Sequence, residues 1–132
     1  MLRVIKAAQD IYGMARIGEI KQSGTVYEIY VNTNDGGMIP HFHFRDKNNW
    51  DEFHTCIEIA RPVYFHHNGK EDVLNSKQKR ELDNFMRSKI TISRYADKFD
   101  NNWELVCFLW DLNNSDIVIG GEIQQPDYTK LP

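Results

Sequence analysis

Two short stretches carry the side chains that could do chemistry: Ile39-Pro40-His41-Phe42-His43-Phe44-Arg45-Asp46 and Phe53-His54-Thr55-Cys56-Ile57-Glu58-Ile59. In both, apolar and polar residues alternate, as in strands whose successive side chains point to opposite faces. On that pattern His41, His43 and Arg45 project one way and Phe42 and Phe44 the other. Likewise His54, Cys56 and Glu58 oppose Phe53, Thr55, Ile57 and Ile59. If the phenylalanine and isoleucine faces are buried, six polar or soft side chains converge on the remaining face, joined by Glu28 and Tyr30.

Three uses fit such a face. A His-x-His pair on a strand can chelate zinc or another divalent transition metal. The metal reading takes His41, His43 and His54 as ligands, with Cys56 or Glu58 able to complete the set. Two imidazoles titrating near neutrality could instead act as general base and acid, with Arg45 stabilising a phosphate-like charge. On this reading His41, His43, Arg45, His54 and Glu58 line a site for a phosphorylated small molecule, or His41, His43 and Arg45 serve a metal-independent ribonuclease-like toxin. The third use is a surface for a protein partner. Solvated and hydrogen-bonded pairs share the His-x-His pattern, so the motif alone names no reaction. The chain has no phosphate-binding glycine loop, Cys-x-x-Cys, His-Glu-x-x-His or nucleophile elbow.

Four strands would hold this face. Ala15–Gln22 and Val26–Val31 flank a Ser23-Gly24 turn and predict a hairpin. Asn32–Gly37 is a loop, Pro40 suits the start of a strand, and the third and fourth strands follow at His41–Arg45 and Phe53–Ala60. Short links predict an antiparallel meander. Asn75-Ser76 predicts an N-cap and a helix to about Ile90, with Leu82, Phe85 and Met86 on its apolar stripe. Lys77, Lys79, Arg80, Glu81, Asp83 and Arg87 lie around the rest. A second helix is expected over 102–112, placing Trp103, Val106, Cys107 and Trp110 on a shared face and Cys107 in the interior. The fold class expected is α+β: an antiparallel sheet of about four strands with two helices packed on one face. Residues 1–14 are weakly patterned, a short helix or an arm ending at Gly13. The domain is expected to be single over 1–132, with its core at about 15–113 and an extended tail over 114–132.

A chain of 132 residues can bury one sizeable core, and 41% hydrophobic with 27% charged residues is ordinary for a globular domain. A net charge of −3 argues against sequence-blind nucleic-acid binding. Charge is uneven: Lys70–Lys98 holds eight Lys/Arg and five Asp/Glu, +3 against −6 elsewhere. The N-terminus has no unbroken apolar stretch of a secretory signal, and the longest apolar run, Leu105–Trp110, is too short to span a membrane. With Cys56 and Cys107 expected free and reduced, the chain reads as cytoplasmic. His66-His67, before Asn68-Gly69, reads as surface.

Pro40-His41-Phe42-His43 resembles the hallmark of a family of small uncharacterised prokaryotic domains whose core reads Pro-Pro-His-Phe-His-Val. In that family the motif is followed by a strand, a polar loop, a Lys/Arg-rich helix and a Trp-containing segment. Phe53–Ile59, the 76–90 helix and Asn102-Trp103-Glu104…Leu109-Trp110 look like the same order, so the resemblance covers about residues 25–113. Ile39 stands for the first proline, Phe44 for the valine, and both ends are longer. The resemblance brings no established activity; it implies a partner encoded by a neighbouring gene, as in two-gene modules of toxin–antitoxin type.

Overall fold

Four strands form from the alternating segments: β1 (Met14–Gln22), β2 (Thr25–Asn32), β3 (His41–Asp46) and β4 (His54–Glu58). They make one antiparallel sheet in the order β1-β2-β3-β4, the meander that short links predict. The computed structural model describes residues 13–66, 71–114 and 123–132. The N-terminal arm over 1–12, His67, Asn68-Gly69 and the Gly120-Gly121 breaker therefore lie outside the described residues.

Ser23 and Gly24 both have positive φ, as the tight β1–β2 turn requires. A bulge between Arg16 and Gly18 interrupts the β1 ladder. At Gly18 the backbone approaches the Phe85 ring so closely that a Cβ would lie 2.9 Å from it. The far edge of β4 is covered. Phe65 N donates to Cys56 O, Glu58 N to Val63 O, and His54 N to the Asp72 carboxylate.

Two helices complete the α+β fold: α1 (Ser76–Arg87) and α2 (Asn102–Asn113). Asn75 and Gln78 form a reciprocal capping box, each side chain accepting from the other's backbone N–H. Leu82 and Met86 are buried in the core and Phe85 partly so. The sequence places the end of α1 near Ile90, but it stops at Arg87. The Asn102 side chain takes the Phe85 carbonyl and its backbone N–H takes that of Ser88, so the start of α2 consumes the acceptors of the last turn. On α2, Trp103, Leu105, Val106, Leu109 and Trp110 are buried, which leaves Cys107 at the border of the stripe. It is half-buried rather than interior, and burial still pushes its thiol up to about 12. Neither cysteine is bridged.

The core continues past residue 113. Tyr128 and Leu131 are buried, and the Tyr128 hydroxyl donates to Ile59 O at 2.9 Å, beside Trp103 Nε1 at 3.0 Å. Asp83, which the helix pattern assigns to the solvated side, is buried because this segment crosses it. Tyr128 N donates to its Oδ1 and Arg87 Nε to its Oδ2. Among the described residues no helix is long and apolar enough to cross a membrane.

Tyr128→Ala should therefore cost about 3–5 kcal/mol in urea unfolding. Tyr128→Phe should cost only about 1 kcal/mol, because Ile59 O keeps the Trp103 donor. A cysteine thiol ordinarily ionises near 9, and in the fold burial pushes that of Cys107 up to about 12. Below pH 9 both states hold the proton; above it the unfolded state loses it first, so stability should fall as pH rises from about 9 towards 12. Cys107→Ser should flatten that slope, read from unfolding midpoints at pH 8 and pH 10.5.

Candidate functional site

The register sets the polar face. Across β2, β3 and β4 the pairs are Tyr30 with His43, Glu28 with Arg45, His43 with Cys56, Arg45 with His54, and His41 with Glu58. The alternation thus brings His41, His43, Arg45, His54, Cys56 and Glu58 to one side, opposite Phe42, Phe44 and Ile57. This side is not open to solvent: His41 and Cys56 are 0% exposed, His43 2% and His54 8%. A polar group in such a place must be hydrogen-bonded or paired.

The imidazoles are locked by rings and hydrogen bonds. His41 stacks on Phe65 with centroids 4.4 Å apart and meets Trp110 at 5.2 Å. His43 stacks on Tyr30 at 4.6 Å. His41 Nδ1 donates to Ile39 O at 2.8 Å, because a carbonyl can only accept. Asn32 Nδ2 donates to His43 Nε2 at 3.1 Å, so the proton of His43 sits on Nδ1, which donates to His54 Nε2 at 2.8 Å. Burial drives the Tyr30 hydroxyl well above the usual tyrosine range; it stays protonated and donates to the same His54 Nε2 at 3.3 Å. Both His41 and His43 thus commit Nδ1 to a fixed acceptor and turn Nε2 the other way. The two Nε2 atoms converge on Asp35 Oδ2, at 3.1 Å and 3.8 Å. Cys56 Sγ lies 3.9 Å from His43 Nε2 and 3.3 Å from its Nδ1.

His41, His43 and Cys56 each offer a ligand atom, and these atoms lie within 4.8 Å of one another, the spacing of a group that could hold a metal ion. A tetrahedral ion with bonds of about 2.0–2.3 Å needs ligand atoms roughly 3.3–3.8 Å apart, so a small inward movement would suffice.

The other sequence-chosen residues have different partners. His54 stands one hydrogen bond behind His43, and Cys56, one of the residues the sequence offers to complete the set, is the third member of this group. Arg45 is spent on Glu28, with Nε and Nη2 both 2.7 Å from Oε2, while its guanidinium lies 3.3 Å from the Trp50 ring centroid and 4.6 Å from that of Tyr30. A cation so enclosed is poorly placed to receive a phosphate. Glu58 is gripped by Arg61, whose Nε and Nη2 donate to its two oxygens at 2.8 Å and 2.9 Å. His66 is exposed, as the sequence suggests, and its Nδ1 lies 2.9 Å from Glu71.

Asp35, Asn32 and Asn114 carry no motif that would have marked them. Asp35 N donates to Asn114 Oδ1 at 2.6 Å and Asn114 Nδ2 to Asn32 O at 2.9 Å, so the residue closing α2 fixes the loop that delivers the carboxylate. The one available signal was an aspartate in the loop that feeds a His-x-His strand.

Comparison with known proteins finds no match: no family model, no curated protein and no solved structure matches the chain. The resemblance at Pro40–His43 therefore stands on its own residues, and the reading of the site on its geometry.

The Glu28–Arg45 pair gives a direct check on how closed this face is. Both side chains are about 2–3% exposed. Glu28→Gln should destabilise the fold by about 3–5 kcal/mol, because it leaves a buried guanidinium without its carboxylate. A Glu28→Gln/Arg45→Met double variant should recover part of that loss in the same urea titration.

Proposed function

We propose that this protein binds a transition-metal ion, zinc being the first candidate, through His41 Nε2, His43 Nε2 and Cys56 Sγ. The observation that carries the reading is the shared commitment of the two Nδ1 protons. Each ligating histidine of a metal centre commonly donates its other N–H to a fixed acceptor, which sets the tautomer and aims the lone pair. Ile39 O and His54 Nε2 are such acceptors. Two imidazoles and a thiolate form a borderline-soft set, which favours zinc, cobalt or copper over magnesium or calcium. Binding would replace the Asn32 amide at His43 Nε2 and release the Cys56 proton. His54 and Tyr30 then act as positioning residues behind His43.

The test is metal content of protein purified without a histidine tag, followed by titration with Zn²⁺ and Co²⁺. One ion per chain is expected, with thiolate-to-cobalt charge-transfer absorption in the near ultraviolet. His41→Ala and Cys56→Ser should each remove the binding, and Cys56→Ser the charge-transfer band. His54→Ala should weaken binding by about 10–100-fold without abolishing it. A folded wild-type protein that takes up no ion at saturating Zn²⁺ overturns the reading.

A further inference from the structure

We propose that Asp35 is the fourth ligand of this centre, which makes it a closed structural site that pins the loop before β3 to the sheet rather than an open catalytic one. The inference rests on the metal reading above and goes beyond it in assigning the last coordination position and the use of the ion.

The geometry points to Asp35 through two distances. Its Oδ2 lies 3.1 Å from His41 Nε2 and 3.8 Å from His43 Nε2. The edges of a tetrahedron around an ion with bonds of about 2.0–2.3 Å are roughly 3.3–3.8 Å. The second distance is at the upper end of that range, and the first is a few tenths of an ångström short, so Asp35 Oδ2 would move slightly away from His41 on binding. With Nδ1 of His41 already donating to Ile39 O, this approach is favourable when Nε2 carries a proton or when a cation lies between the two atoms, and a divalent ion would take the place of that proton. The carboxylate is also built in. Asp35 is 4% exposed, its N–H is held by Asn114, and its carbonyl accepts from Met38 N at 3.2 Å. Gly37, with φ of 87°, allows the turn that returns the chain from Asp35 towards β3.

Closure follows from burial. Structural zinc sites take four protein ligands, whereas catalytic ones leave a position for water or substrate. Here His41 and Cys56 have no exposed surface. With Asp35 in place, the ion joins a loop, β3 and β4, and its binding energy becomes stability of the fold.

The experiment uses the full chain and the ions themselves. Wild-type protein with Co²⁺ should give the intense visible bands of tetrahedral cobalt, and added azide should leave them unchanged. Zn²⁺ should raise Tm. Asp35→Ala should bind Zn²⁺ about tenfold or more weakly, and its cobalt bands should weaken and become azide-sensitive as solvent takes the vacated position. Asp35→Asn keeps the shape of the side chain and the loop, and should show a smaller loss of affinity in the same direction. Azide-sensitive bands in the wild type, or wild-type affinity and spectra in Asp35→Ala, overturn the inference while leaving the three-ligand reading intact. No uptake of either ion by the wild type overturns both. The azide measurement needs no variant, so a failure of Asp35→Ala to fold leaves the outcome decided.

Discussion

Both faces of β3 and β4 are buried, and every other constraint on this molecule follows from that. All five residues of β4, and all but the last of β3, are buried. One face is conventional: Phe42, Phe44 and Ile57 meet Leu82, Met86 and Tyr128. The other carries three imidazoles, a guanidinium, a thiol and a carboxylate. Removing such groups from water costs far more than removing methylenes, so the face exists only because its members meet one another.

The pairing divides the face into three parts. Arg45 is neutralised by Glu28 on the neighbouring strand and enclosed by Tyr30 and Trp50. Glu58 is neutralised by Arg61, which reaches back from beyond the end of β4 with 64% of its side chain exposed. Between these pairs lie His41, His43, His54 and Cys56, with Asp35 brought from the loop. This middle part depends on the loop before β3, and that loop is fixed by Asn114 at the end of α2. The helix that covers the core thus also sets the position of the one carboxylate among the imidazoles.

The fold was legible because each of its local rules has a sequence signature. Alternation marked the strands within a residue or two, Asn75-Ser76 marked the start of α1, and the Ser23-Gly24 turn marked the hairpin. The same alternation placed all six residues of the candidate face on one side. What could not be read is what depends on contacts distant in sequence. Asp83 reads as a solvated helix residue because nothing within α1 shows that Tyr128 will cross it. Strand alternation places His54 on the face without showing its partners: it stands behind His43 through a hydrogen bond, while the cross-strand neighbour of His43 is Cys56. Arg45 reads as an anion site until Glu28 is seen opposite it. Asp35 sits in a run of turn-forming residues whose composition predicts a loop and gives no sign that its carboxylate will meet the imidazoles.

Charge accounting on the buried face bears on which ion would suit it. The Glu28–Arg45 and Glu58–Arg61 pairs are each neutral. Of the described residues in the middle cluster, Asp35 carries one negative charge, and a Cys56 thiolate ligand would add a second. A monovalent ion such as Cu(I) would leave one negative charge in a place where an uncompensated charge costs several kcal/mol. A divalent ion brings the cluster to neutrality, and its preference for nitrogen and sulfur separates zinc from calcium or magnesium. In the proposed centre the imidazoles would aim the lone pairs and a thiolate would set the softness. The carboxylate would then set the charge of the ion that the interior holds at least cost.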